Sequence, residues 1–247
     1  MITIDIETDM SHTQLWCAVT EDHDTGEICV YADWQPALKE EVEARGWLAL
    51  PWTALKPQPA TGHNAIKFDF PKLGELAGVE WPMTDMMDTL IMAKMYNRNM
   101  DGGHSLKVWG ERLRQAGALR AGSTGKLEYE DHDAPLDLDK IVYCVEDVRT
   151  TTDLHRYLEQ QMEAIGFNLD CIPAEMMVAY YTVQQTRNGF AFDIQACQKL
   201  YAQLTIRQQE IEDQLQEVFP PIVEERYSEK TGKRLMDKVE VFNPGSQ

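Results

Sequence analysis

The chain has 247 residues, 43% of them hydrophobic and 26% charged, and a formal net charge of −18. Such a length and balance suit a globular protein of one or two domains and exclude a disordered chain. No apolar run approaches the roughly 20 residues a bilayer span needs, and the N-terminus lacks the basic and apolar regions of a secretory signal, so a cytosolic protein with no membrane partner is expected.

The opening reads as strands. Ile2-Thr3-Ile4-Asp5-Ile6 alternates, and Gln14 to Thr20 and Glu27 to Ala32 are β-rich, with a turn at Asp24-Thr25-Gly26. Pro36 to Gly46 predicts a short helix closed by glycine, followed by a Pro-rich loop that leads into Thr61-Gly62-His63-Asn64. Helices are predicted over 70–78, 88–96 and 104–115, and a polar, mobile loop from Ala118 to Pro135. A long helix then spans about Leu138 to Met162. Strands first and helices after predict an α/β domain over residues 1–170. A second unit, 171–247, starts near Pro173 with a helix from Glu175 to Asn188. Asp193 is a good N-cap for a further helix whose apolar face runs from Cys197 to Val218, and Glu229-Lys230-Thr231-Gly232-Lys233 reads as a hairpin turn. One apolar face makes a thin core for this second unit, which is therefore read as part of a larger domain.

Three places carry carboxylates with chemical potential. Asp5 and Glu7 lie two apart on the first strand, so both point to one face while Ile4 and Ile6 point to the other. Adjacent like charges repel, and a divalent cation between them would remove that penalty. A solvent-facing acidic edge is the alternative. Asp69, in His63-Asn64-Ala65-Ile66-Lys67-Phe68-Asp69-Phe70, stands at a loop-to-helix transition, where it is either a site residue or an N-cap before Pro71. Tyr143 and Asp147, four apart, share a face of the long helix. At helical spacing Asp147 falls between Leu154 and Leu158, and Glu146 and Arg149 point to the opposite side. An acid within an apolar stripe needs a partner, either a metal ion or a buried arginine.

The joint order of these features is specific. D-x-E on the first strand, N-x-x-x-[FY]-D before a mid-domain helix and Y-x-x-x-D on the last long helix resemble the three exonuclease motifs of the DEDD superfamily, tyrosine subclass. The resemblance covers residues 1–165. It implies an RNase H-like mixed sheet flanked by helices and a two-metal 3′→5′ exonuclease using Mg²⁺ or Mn²⁺. Asp5 would bridge the two ions, Glu7 and Asp147 would complete one site, Asp69 would hold the second ion, and Tyr143 would aim the attacking water. A tyrosine of ordinary acidity is a poor general base at neutral pH but a sound hydrogen-bond orienter. Asp88 matches a family position and is read first as an N-cap. Asn64 belongs to the second motif, and Lys67 and Arg112 are candidate phosphate contacts or solvated surface cations.

The second unit resembles a polymerase. Gln185-Thr186-Arg187-Asn188-Gly189-Phe190-Ala191-Phe192-Asp193 is similar to the segment that opens the polymerase region of family A enzymes, and Phe242-Asn243-Pro244-Gly245-Ser246 to their F-N-P-x-S segment. The likeness is to the replicative polymerases of short-tailed bacteriophages. It implies that residues 171–247 are a mainly helical, partial thumb, with palm and fingers either on a separate polypeptide or on a part of a longer chain not included in these 247 residues. It also implies that this chain alone does not polymerise. Only about 22 residues separate Phe219 from Phe242, so thioredoxin binding through a long thumb insertion is not supported.

Charge and cysteines agree with this reading. Residues 1–170 carry 15 Lys+Arg against 30 Asp+Glu, and 171–247 carry 8 against 11. A stand-alone DNA clamp would show a basic face, whereas a metal-dependent enzyme that works on a DNA 3′ end can borrow its grip from a partner. The five cysteines show no zinc spacing and are expected as mostly buried free thiols. A DEDD exoribonuclease of the RNase D kind and a non-catalytic assembly subunit are the alternatives. No G-x-G-x-x-G follows the first strand, which disfavours a Rossmann domain.

Overall fold

The computed structural model describes residues 1–123, 125, 127, 129 and 131–243. Its centre is β1 (Ile2–Thr8), which lies between β2 (Leu15–Asp22) and β5 (Ala60–Gly62). With β3 (Ile28–Tyr31), β4 (Leu48–Leu50) and β6 (Met86–Asp88) they form a six-stranded sheet of order β4-β3-β2-β1-β5-β6. The pairs β1–β2 and β2–β3 are antiparallel, and β3–β4, β1–β5 and β5–β6 are parallel. The fold is thus mixed α/β, as the element order predicts.

β1 alternates Ile with polar residues, yet both of its faces are covered. Ile2, Ile4 and Ile6 are buried in a core with Phe70, Leu73 and Trp81, each isoleucine contributing about 1.5–3 kcal/mol. The other face, bearing Thr3, Asp5 and Glu7, lies under α5 (Leu138–Ala164). There Cys144 Sγ is 3.4 Å from Asp5 Oδ2, and the Thr152 hydroxyl is 2.7 Å from Thr3 Oγ1 and from Glu21 Oε2. These two residues are eight apart on α5, so the helix lies along β1 with its rows facing the carboxylate side.

The remaining helices of this part are α1 (Pro36–Ala44), α2 (Asp69–Ala77), α3 (Thr89–Tyr96), α4 (Leu106–Gln115) and α6 (Ile172–Asn188). Their starts follow local chemistry: Asp88 accepts from Leu90 N at 2.9 Å, Ser105 caps α4, and Asp137 accepts from Lys140 N at 2.8 Å. The side of α5 that carries Glu146 and Arg149 is covered as well. Glu146 is buried, held by Arg149 at 2.9 Å and the Ser123 hydroxyl at 3.3 Å, because the loop after α4 covers that side.

The chain divides into two compact units, Met1–Asn188 and Gly189–Gln247. α6 thus belongs with the sheet, where Ile172 and Met176 join the main core. The second unit holds α7 (Ile194–Val218), capped by Asp193, and a hairpin of β7 (Ile222–Glu224) with β8 (Lys238–Glu240). No residue of α7 is buried. Pro244, Gly245 and Ser246 of the F-N-P-x-S segment lie outside the described residues. Of the cysteines, Cys17 and Cys144 are buried, Cys29 is half-buried, and Cys171 and Cys197 are exposed. Cys171 lies in the short turn before α6 and Cys197 on the uncovered α7, which a local helix pattern does not reveal. No helix among the described residues is long and apolar enough to cross a membrane.

Candidate active site

Asp5 and Glu7 project from the central strand, and the carboxylate side of β1 is not an exposed edge: Glu7 is only 7% accessible. One ligand atom each from Asp5, Glu7 and Cys144 lie within 4.8 Å of one another. Burial, then Cys17 and Asp5 beside it, push the Cys144 thiol well above its ordinary range. It therefore stays protonated and is placed to donate to Asp5, which leaves the carboxylate oxygens as the hard donors for a cation.

Asp69 arrives from the other edge of β1. The β1–β5 ladder is paired at Ile2–Ala60 and Thr3–Thr61. Further along β1, the Ile6 N–H donates to Asp69 Oδ1 at 3.2 Å instead. Asp69 is the first residue of α2, behind an N-cap at Phe68, and is buried, so it serves β1 and not as the cap of its own helix. Burial, then the charge of Asp5 and later that of Asp88, hold its carboxyl well above the usual range. A buried acid pushed up by a neighbouring carboxylate marks a site where negative charge is crowded.

The loop before α2 is set by Asp88. Its two oxygens accept from Asn64 N at 2.9 Å and Ile66 N at 3.1 Å while also capping α3. This holds Asn64 in the left-handed region at φ 65°, a conformation asparagine tolerates better than most residues. Gly62 lies at the tightest point: a Cβ there would stand 2.5 Å from Ala65 Cβ and 2.9 Å from the Ile4 carbonyl oxygen. Asp88 therefore shapes the turn that delivers Asp69, and burial raises its own pKa.

α5 brings the third group. Tyr143 and Asp147 are both buried, four apart on one face of the helix and beside Cys144, whose thiol reaches Asp5. The Tyr143 ring meets Tyr129 at 5.7 Å and His132 edge-on at 6.2 Å. His132 in turn places Nδ1 3.6 Å from Glu7 Oε2. Sequence reasoning missed His132 and Tyr129, which sit in a polar loop with no periodicity; only an aromatic pair among acidic residues marked the place.

The cationic candidates fall elsewhere. Lys67 is exposed and lines a cleft of about 540 Å³ together with Phe68, Lys72, Val183 and Arg187, next to the start of α2. Arg112 lies on α4, donates to the Gly103 carbonyl at 2.7 Å and to that of Asp101, and stacks over Trp109 at 4.9 Å. None of these contacts involves Asp5, Glu7, Asp69 or Asp147.

No protein-family model matches the chain. It is 26% identical over 273 residues to the DNA-directed DNA polymerase of Escherichia phage T7, an alignment covering 89% of this chain and 37% of that protein. The corresponding polymerase of Enterobacteria phage T3 is 24% identical over 258 residues, covering 84% and 35%. The chain thus spans little more than a third of the length of these curated relatives, and the matched stretch is their N-terminal exonuclease region. Among solved structures it is similar to Brucella melitensis NrnC bound to pGG and to NrnC with bound Mg²⁺. Each has a TM-score of 0.54 and 20% identity, with 78% of this chain and 88% of that chain covered. A structure described as the apo form of the nuclease gives a TM-score of 0.53 at 18% identity, with 78% and 87% covered. At these identities the likeness establishes a nuclease-like fold.

Proposed function

We propose that the chain is a metal-dependent nuclease, and within that class a two-metal 3′→5′ exonuclease that trims DNA 3′ ends in proofreading for a phage-type polymerase. The observation that carries this reading is the meeting of carboxylates at one strand, β1. Asp5 and Glu7 share one side of β1, Asp69 bonds the N–H of the residue between them, and α5, the helix that carries Tyr143 and Asp147, reaches Asp5 through Cys144. The likeness to the exonuclease region of phage polymerases supports DNA as the polymer, and the nuclease-like fold supports phosphodiester hydrolysis.

Asp5, Glu7, Asp69 and Asp147 are the residues that would hold two Mg²⁺ or Mn²⁺ ions, since a carboxylate set without soft ligands suits these cations. Bound there, the ions supply charge stabilisation for the attacking and leaving oxygens of an in-line displacement. Tyr143 contributes a hydroxyl that orients the attacking water. Asp88 and Asn64 keep the Asp69 turn in place. In the cleft lined by Lys67, Lys72, Glu75 and Arg187, Lys72 pairs with Glu75 at 3.0 Å, and Lys67 and Arg187 are the cations offered to the phosphates of an incoming strand.

Residues 1–170 make up the exonuclease in this reading and 171–247 the start of the thumb, with palm and fingers supplied by a partner polypeptide or by further chain. The apolar surface of α7 supports such a partner: Leu200, Tyr201 and Leu204 are each more than half exposed. A stable monomer that leaves a hydrophobic dye dark would argue against the partner while leaving the nuclease untouched.

The test is nucleotide release from 5′-labelled single-stranded DNA, and from RNA of the same sequence, with Mg²⁺, with EDTA and with Asp147→Ala. Metal-dependent shortening from the 3′ end, faster on DNA and lost in the variant, is expected. Preference for RNA would shift the reading to an exoribonuclease. Activity unaffected by EDTA and by Asp147→Ala would overturn it.

A further inference from the structure

The segment that carries His132 is fastened from three directions. From the loop after β1, the Met10 N–H donates to Asp133 Oδ1 at 2.8 Å. From β2, the Trp16 indole donates to the His132 carbonyl at 2.9 Å. From α5, the Lys140 ammonium donates to the same carbonyl at 3.0 Å and to the Ala134 carbonyl. Trp16 occupies a bulge: Glu7 pairs with Cys17 and Thr8 with Leu15, so Trp16 is the extra residue of β2. Bulges re-aim a side chain out of the ordinary alternation. Here the indole covers the ammonium, with Lys140 Nζ 4.6 Å from the ring centroid.

Lys140 has no accessible surface at all, a rare state for lysine. An apolar side chain would fill the same space without the desolvation that lowers the Lys140 pKa. What methionine could not do is donate to two carbonyls at once. Those bonds determine where His132 stands, and His132 is the residue that reaches Glu7 and packs edge-on against Tyr143.

We infer that Lys140 is a positioning residue of the site, acting through His132 to hold the Glu7 carboxylate in the orientation that a divalent cation requires. The inference rests on the metal-dependent reading above. Groups that orient a ligand from behind typically change metal affinity by about 10–100-fold when removed. A lysine that only fastened the loop would change stability and leave affinity alone.

The experiment measures Mn²⁺ binding to the full chain by electron paramagnetic resonance without nucleic acid, at a temperature where circular dichroism shows each variant folded. Lys140→Met and His132→Ala are each expected to weaken binding about tenfold or more. The double variant is expected to be no weaker than the worse single one, because both act through one contact. Steady-state hydrolysis should show the same losses in kcat at saturating DNA and subsaturating Mn²⁺, with the KM for DNA little changed. Mn²⁺ binding within twofold of wild type in Lys140→Met, or tighter, would overturn the inference. If that variant does not fold, unchanged binding in His132→Ala, whose side chain is partly exposed, overturns it equally. Wild-type protein that binds no Mn²⁺ would instead bring down the metal-dependent reading, and the inference with it.

Discussion

α5 and α7 are the two long helices of the molecule, 27 and 25 residues, and they have opposite fates. In α5 the residues from Tyr143 to Val148 are buried without interruption, charged ones included. In α7 not one residue is buried, although its sequence has a cleaner apolar stripe. Helical periodicity therefore reports which face could be covered, not whether the fold supplies a cover. α5 reads as less amphipathic because it has neighbours all round: the sheet, α4, and the loop that brings Ser123 to Glu146. Its Cys144 and Thr152 are small polar groups fitted to partners on β1 and β2, and its Asp153 pairs with Arg120. α7 leaves its stripe uncovered.

That contrast can be tested with a series of substitutions. The largest expected effect is Asp147→Ala on α5, which should lower kcat on single-stranded DNA by on the order of a thousandfold. Glu210→Ala on α7 should leave it within experimental scatter in the same assay. Next, Leu154→Ala should cost about 2–5 kcal/mol of unfolding free energy in urea. Leu204→Ala should cost about 0.5 kcal/mol or less, and a comparable loss there would mean that α7 is covered within this chain. Gly62→Ala should destabilise by about 1–3 kcal/mol, because a Cβ there meets Ala65 and the Ile4 backbone. In the same variant, Asp69 should be displaced and nuclease activity should fall with stability.

The smallest effect is a slope. Asp69 has a raised carboxyl pKa through burial and Asp5, so the metal-free folded protein keeps a proton that the unfolded chain releases near pH ~4. Stability without metal should then fall as pH rises from that value through the folded-state one, and stay lower above it. Asp69→Asn should flatten that slope in EDTA, giving a higher Tm than wild type at neutral pH and no difference in acid. Cation binding by wild type should release a proton and tighten as pH rises. Thermal unfolding across the pH range reads both, and a steeper slope in the variant would contradict the assignment of Asp69.

Much of the fold was legible because it is written in short-range pattern. The alternation of β1, the cap at Asp193 and the turn at Thr231-Gly232 are local facts, and the structure has them where the sequence predicts. The spacing of Asp5 with Glu7 and of Tyr143 with Asp147 could be read as shared faces for the same reason. What was not legible depends on distant chain. Whether Asp69 caps its helix or serves β1 depends on the Ile6 N–H, 63 residues away. Asp88 reads as a cap and also clasps the Asn64 turn, 24 residues away. His132 reaches Glu7 across a gap that no periodicity bridges, and the boundary after α6 follows from core contacts of Ile172 and Met176, on either side of Pro173.

The central claim is that Asp5, Glu7, Asp69 and Asp147 together hold divalent ions for phosphodiester hydrolysis. Its most direct test is anomalous diffraction from crystals soaked in Mn²⁺ with a non-hydrolysable 3′-terminal dinucleotide. The account predicts two anomalous peaks beside Asp5, with Glu7, Asp69 and Asp147 among the ligands and the terminal phosphate between them. Manganese bound elsewhere, with the β1 carboxylates free of metal and the dinucleotide away from Tyr143, would contradict it.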